Sequence, residues 1–486
     1  MKPESKLRIA RRLDELGVHI IEAGTAVASE GEMKAIRMIA KEGLKAEICS
    51  FARILRVDID AVIGSEAQSV HLVVPTSPTH IQYKLRKTEG QVLEMTVDSV
   101  QYAKDHGLIV ELSSEDATRS DMNFLKKVFT AGVEAGADRL CACDTVGVLT
   151  PERSYAFYSE LSSTFTKPVS VHCHNDFGMA VANSIAGLQG GAKEVHVTIN
   201  GLGERAGNAA LEEVVMTMIA LHKVKLPIKT QLLYSTSRLA SRLMGIPVQP
   251  NKAMVGDNAF THESGIHTHG VLAMPSTYEP IPPEMIGVRR RFGTGKLSGS
   301  HGMRALLEGL DLKPNDEQMK EIFVRVKALG DKGKKVTDVD LYTIAEMVME
   351  LPKVKPIELQ ELSVMTGNKM TPTAAVTISL DGKRLTEAAV GNGPVDAAIN
   401  AINKAISQAT DITLESYNVK AITGGTDAVV EVTVQLRKGD TVVSSMGVHG
   451  DIVMASVEAM LNGMNVLMAS AARNKLNNND NHGNNK

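Results

Sequence analysis

The chain has 486 residues, room for two or three domains and a large core. Its formal charge is -3, which excludes the strongly basic face of a nucleic-acid binder and gives no electrostatic pull towards an anionic membrane. Aromatic residues make up 3 % and Trp is absent, so any core rests on aliphatic side chains and the 23 Met.

The sequence shows no apolar run that reads as a bilayer span and no signal-peptide core near Met1. Cys49, Cys141, Cys143 and Cys173 lie in apolar strand-like runs without framework spacing, as expected of buried reduced thiols in a cytoplasmic protein. Cys141-Ala-Cys143 has two readings, metal ligands and buried packing, and packing is preferred.

In chain order, a helical pattern over 4–16 comes first. Short β runs at 18–22, 46–51, 69–74, 108–112, 139–143, 169–172 and 194–198 then alternate with amphipathic stretches such as 91–106, 121–135 and 151–164. Continuous apolar or β-branched runs fit parallel strands, and repeated βα units give a doubly wound sheet or a (β/α)8 TIM barrel. No Gly-x-Gly-x-x-Gly follows an early strand, which weighs against the dinucleotide fold. Polar residues gather just after the runs: Glu22, Glu115-Asp116, Asp144-Thr145, His172 and His174, and Glu204-Arg205. A barrel builds its active site on that face. Seven runs are one short of a closed barrel, and two open parallel edges are unfavourable, so a strand is expected ahead of Met1.

Residues two apart on a strand point the same way, so His172 and His174 offer two imidazoles to one side of a strand end. Two such nitrogens plus polar oxygens describe a divalent-metal site with open positions. The bland reading is a pair of hydrogen-bonded histidines.

Three motifs carry a resemblance: His172-Cys-His-Asn-Asp-Phe-Gly178, Asn200-Gly-Leu-Gly-Glu-Arg-Ala-Gly-Asn208 and Phe260-Thr-His-Glu-Ser-Gly-Ile-His267. From Lys6 to about Met468 the chain resembles the acyl-transferring synthases that make 2-isopropylmalate, homocitrate and citramalate. That family's first strand carries Arg-Asp-Gly-Glu, whose Asp is a metal ligand. The chain opens just past it, and a start codon placed too far downstream is favoured over a natural truncation.

The resemblance implies a divalent ion (manganese, magnesium or zinc) held by His172, His174 and Asn208. It makes Thr145 the binder of a 2-oxo acid carboxylate, with a capping role as the alternative, and turns Glu115 towards the reacting centre. Asp116 and Arg119 are expected to pair structurally, and Glu204 and Arg205 either to act or to brace Asn208. His262 would move the proton that enolises acetyl-CoA, with Tyr278 as its helper, because a neutral imidazole suits that transfer near pH 7. His267 and His269 are expected to be structural. Arg289 to Arg291 would meet CoA phosphates or form an ion-paired face.

The expected domains are a catalytic barrel over 1–225, helical linker subdomains over 226–354, a regulatory and dimerisation domain over 355–473, and a disordered Asn-rich tail over 474–486. In the third, Gly391 and Gly447 mark an internal ββα repeat of about 56 residues. By resemblance it binds a feedback amino acid, isoleucine or leucine, at a homodimer interface, with plain dimerisation as the alternative.

Ser69 to Pro78, Tyr83 to Thr88 and Gly391 to Asn400 resemble the archaeal citramalate synthases, which implies pyruvate and acetyl-CoA as substrates. His71 and Ser113 fall at pocket-wall positions where 2-isopropylmalate synthases also carry His and Ser, so 2-oxoisovalerate is the competing substrate. Homocitrate synthesis ranks third, for want of a basic partner to a distal carboxylate. A protein of another class remains open: an inactive amino-acid binder or a partner of an active paralogue.

Overall fold

The computed structural model describes residues 1–293, 299–332, 336–407, 410–422, 428–439 and 441–483. They form two compact units, one of Met1–Phe260 with Ile281–Arg290, the other of Thr261–Pro280 with Arg291–Lys486.

The first unit opens on α1 (Pro3–Leu16), started by Pro at its first position and ended by Gly17 in the left-handed region. Then follow β1 (Ile20–Glu22), α2 (Glu30–Ala40), β2 (Glu47–Arg53), α3 (Arg56–Gly64), β3 (Ser69–Pro75), α4 (Glu89–Asp105) and β4 (Ile109–Glu115). The series continues with α5 (Met122–Glu134), β5 (Arg139–Asp144), α6 (Pro151–Thr164), β6 (Val169–Cys173), α7 (Ala180–Gln189) and β7 (Glu194–Val195). Two helices close it, α8 (Leu211–Met216) and α9 (Leu233–Met244). Three helices start where side chains satisfy free backbone N–H groups: Ser29 caps α2, Thr88 and Gln91 form a capping box on α4, and Asp121 caps α5.

All seven expected strands are present, paired parallel in the order β1 to β7, a TIM-barrel-like sheet. Among the described residues β1 and β7 each have one paired neighbour. Alternation divides the two faces. Val70, Leu72, Val74, Val110, Leu112, Leu140, Ala142, Val169 and Val171 pack in the main core of this unit. The opposite face carries His71, Glu111, Ser113, Cys141, Cys143, Ser170 and His172, so the runs are apolar on one side only.

The second unit contains β8 (Thr261–His262), α10 (Gly265–Ala273), β9 (Arg291–Phe292), α11 (Ser300–Gly309), α12 (Asp316–Asp331) and α13 (Asp338–Val348). Its antiparallel part has β10 (Ile357–Gly367), β11 (Met370–Leu380) and β12 (Lys383–Val390) before α14 (Pro394–Ile406). The same order returns as β13 (Thr413–Ala421), β14 (Val430–Lys438) and β15 (Thr441–His449) before α15 (Ile452–Gly483).

Four expectations change here. The repeat is βββα rather than ββα, because each unit adds an outer strand with little buried surface. The expected linker divides: 226–260 and 281–290 belong to the first unit, while helices α11 to α13 share one core with the antiparallel sheets. Helix α15 runs on through the Asn-rich segment to Gly483, since extending a formed helix costs far less than starting one; 484–486 lie outside the described residues. Finally, Ile452–Ala469 is long and apolar enough to cross a membrane by length and composition. Its apolar side chains are occupied otherwise: Ala455, Val457, Ala459, Met460 and Met464 are buried in the core of this unit.

Candidate active site

The polar face of the parallel sheet is built in rows. Nearest the strand starts, Arg139 pairs with Glu47 at 2.6 Å and with Glu194 at 3.6 Å. Above them His71 Nδ1 lies 2.6 Å from Glu22, and His196 Nε2 lies 3.1 Å from Glu111, which also accepts from Ser170 Oγ at 2.6 Å. Burial alone would neutralise these groups, but the pairs outweigh it. The Glu22 and Glu111 carboxyls fall below their ordinary range, and the His71 and His196 rings rise above theirs.

His172 stands over this row. Its Nδ1 is 3.2 Å from His196 Nδ1 and its Nε2 is 3.3 Å from His174 Nε2. Burial, then the charge on His196 and the neighbouring His174, holds the His172 ring well below its ordinary value, so it stays neutral with a lone pair to give. His174 is held down by burial and by Arg205. Two ring nitrogens at this separation can share one metal ion, since each bond would be about 2.0–2.1 Å long.

The loop carrying Asn208 pairs directly with His174 through an antiparallel bridge. Asn208 Oδ1 and His174 Nδ1 are buried without a hydrogen-bond partner. An orphaned carbonyl oxygen on a residue bridged to His174 is of the kind that a hard or borderline divalent cation completes. Gly207 has φ +91, and a Cβ there would lie 2.0 Å from the Gly201 carbonyl oxygen, so glycine is required for the tight turn that leads into Asn208. Arg205 forks onto Asp176 at 2.7 and 2.8 Å and donates to the Thr145 carbonyl at 2.6 Å, tying two strand-end loops together.

The other expected residues of this unit sit at strand ends. Thr145 Oγ1 accepts from the Asp116 backbone N–H at 2.8 Å, which leaves its own O–H free to donate. Glu115 is held by Lys84 at 2.6 and 2.7 Å, on a π-helical turn that also brings His80 within 3.7 Å. Asp116 and Arg119 form the expected bidentate pair. Ser113 Oγ lies 3.2 Å from Cys143 Sγ and is fully buried. His71 Nε2 is buried and unpartnered, at the edge of the same space.

Sequence reasoning passed over Glu111 and His196. Together with Glu194 they form one set that could hold a metal, and His71, Cys141 and His196 form another. The signal was present: both residues fall on the inward positions of their runs, and a charge there must find a partner. All four cysteines are buried and free, as expected.

In the second unit, His262 Nε2 lies 3.1 Å from Glu279 Oε1, both nearly buried. His267 stacks on Tyr278 with ring centroids 4.0 Å apart, and His269 lies beside His301. These two histidines therefore take the packing role expected of them. Arg291 is bonded to Gln435 and Glu415, so it belongs to an ion-paired face.

The HMGL-like family model matches residues 1–240, the homocitrate synthase post-HMGL domain-like model 254–334, and the LeuA allosteric (dimerisation) domain model 335–468. The (R)-citramalate synthase CimA of Methanocaldococcus jannaschii is 54 % identical over 96 % of this chain and 96 % of its own. The chain belongs to this synthase family. A relative from Methanothermobacter thermautotrophicus, provisionally given the same name, is 58 % identical over 97 % of this chain and 95 % of its own. A Methanopyrus kandleri relative provisionally named a 2-isopropylmalate synthase is 52 % identical over 96 % of this chain and 94 % of its own. Both names thus occur among relatives at similar identity, the citramalate synthase name the more often.

Proposed function

We propose that this chain condenses acetyl-CoA with pyruvate in a Claisen-type reaction, releasing (R)-citramalate and CoA for isoleucine biosynthesis. The observation that carries the reading is the approach of the His172 and His174 ring nitrogens to 3.3 Å, with His174 bridged to Asn208, whose side-chain oxygen is buried and unpartnered. His172, His174 and Asn208 would hold a divalent ion, which when bound supplies Lewis-acid polarisation of the 2-oxo acid carbonyl. The Thr145 hydroxyl donates to the substrate carboxylate. His262 removes a methyl proton from acetyl-CoA, with Tyr278 assisting, and the resulting enolate carbon attacks the keto carbon of pyruvate. The alkoxide so formed takes up a proton to become the tertiary hydroxyl of the acyl-CoA adduct, and Glu115, charge-balanced by Lys84, faces the reacting centre. Water then hydrolyses the thioester, and CoA leaves as the thiol.

His71 and Ser113 form the wall that meets the side chain of the 2-oxo acid. Their ties to Glu22 and Cys143 fix the shape of that wall. A pair of methyl groups changes affinity by only about 1–3 kcal/mol per methylene-sized step, so these few contacts set the substrate. The resemblance of His71 and Ser113 to the His and Ser of 2-isopropylmalate synthases at this wall favours the second reading, 2-isopropylmalate synthesis from 2-oxoisovalerate. The second unit would bind a feedback amino acid, isoleucine or leucine, and join two copies of the chain.

The test is release of CoA thiol from acetyl-CoA with pyruvate or with 2-oxoisovalerate, before and after chelation and return of manganese, magnesium or zinc. Faster, metal-dependent release with pyruvate is the expected result. Preference for 2-oxoisovalerate would move the assignment to leucine biosynthesis. No release with either acid would favour the inactive amino-acid binder.

A further inference from the structure

The loop after α10 does something that the reaction above does not use. Helix α10 ends at Ala273, and the chain folds back through Pro275–Thr277 so that the Glu279 N–H donates to the Pro275 carbonyl at 3.1 Å. The fold-back is close because Gly270 has no side chain: a Cβ there would lie 2.7 Å from the Tyr278 ring. Tyr278 is then stacked on His267, and the next residue, Glu279, is turned inwards. Its side chain keeps only 3 % exposure and meets the His262 ring. His262 itself is fixed by the short parallel pairing of β8 with β9, in register with Phe292.

A buried carboxylate is acceptor-only, so the shared proton sits on His262 Nε2. We propose that Glu279 is the positioning residue for His262: its carboxylate accepts the Nε2–H and leaves Nδ1 as the nitrogen that takes the methyl proton of the acetyl thioester. The proposal rests on the acid–base reading of His262 given above. In the step, the C–H electron pair becomes the enolate and the proton passes to Nδ1. The ring is then an imidazolium whose charge faces Glu279. A carboxylate bonded to the far nitrogen of a catalytic imidazole fixes its tautomer and stabilises that charge.

The test is a double-mutant cycle on the full chain with its metal: Glu279→Gln and Glu279→Asp, each made alone and with His262→Gln. With His262 present, Glu279→Gln is expected to lower kcat about 10- to 100-fold, less than the roughly 10²–10⁴ that the general base itself supplies. KM for both substrates should stay within about 2-fold, and Glu279→Asp should recover part of kcat. With His262 absent, the same change should cost almost nothing further. Equal losses in both backgrounds would show a structural role and overturn the proposal. Full activity of His262→Gln would instead overturn the acid–base reading itself.

A second readout needs no turnover. With ¹⁵N-labelled histidine, the His262 ring, recognised by its loss in His262→Gln, should show the Nε2–H tautomer, and Glu279→Leu should shift it. An Nδ1–H tautomer, or a ring unmoved by Glu279→Leu, would overturn the proposal.

Discussion

At the residue scale the site depends on groups that would be costly to bury for any other purpose. An amide oxygen left without a hydrogen bond forfeits about 1–3 kcal/mol, which a bound cation would return. His174→Ala should therefore reduce tightly bound divalent metal from about one ion per chain to none, read by elemental mass spectrometry. Gly207→Ala probes the same site through the backbone. With φ at +91 and the Gly201 carbonyl 2.0 Å from the new Cβ, it should cost about 2–4 kcal/mol in a denaturant melt and lose the metal together with Asn208. The placing of His172 and His174 at one strand end was legible because strand alternation leaves a pattern, whereas Asn208 entered through the resemblance alone. Glu111 and His196 were hidden by their neighbours, since Val110, Leu112, Val195 and Val197 make both runs read as apolar. What pairs two such charges lies in neighbouring strands, and a one-dimensional pattern does not contain it.

At the scale of elements, most of the sheet was legible because strands such as β3 to β6 bury an apolar face and helices such as α4 and α5 carry their caps. The outer strands of the second unit were not. Residues 413–421 of β13 have no fully buried position, so no periodic apolar signal marks them. Between elements, single polar contacts hold the register. Asp138, just ahead of β5, accepts from Lys104 Nζ of α4 and from the Val110 N–H of β4, each at 2.8 Å. Partial burial works against its charge, but the Lys104 and Val110 bonds outweigh it, and the carboxyl falls below its ordinary value near 3.8. A depressed carboxyl pKa contributes stability at pH values above the unfolded value and loses it as pH falls through the folded one. Asp138→Asn should thus cost about 0.5–1.5 kcal/mol at pH 7, with the difference from the parent closing below about pH 3, as urea melts at the two pH values would show.

For the whole molecule, the question is what the antiparallel sheets of the second unit face. In the first of them the register places Met365, Thr373 and Val390 in one row across β10, β11 and β12, and Ser363, Ala375 and Ala388 in the next. These rows point away from the core, which is lined by the alternate positions Val364, Ala374, Val376 and Ile378. Met365 and Val390 are 62 % and 60 % exposed, and Ala375 and Ala388 are exposed beside them. A face of small and apolar residues flanked by charge lets another sheet or helix approach closely, and such patches mark association surfaces. The match of 335–468 to the LeuA allosteric (dimerisation) domain makes a second copy of this chain the proposed occupant. Ala375→Glu places a charge at the centre of that face without touching the core, so the fold should change in stability by less than about 0.5 kcal/mol. Sedimentation velocity should then show the parent as a dimer and the variant as a monomer of unchanged melting behaviour. A variant that remains dimeric would move the interface to another part of the second unit.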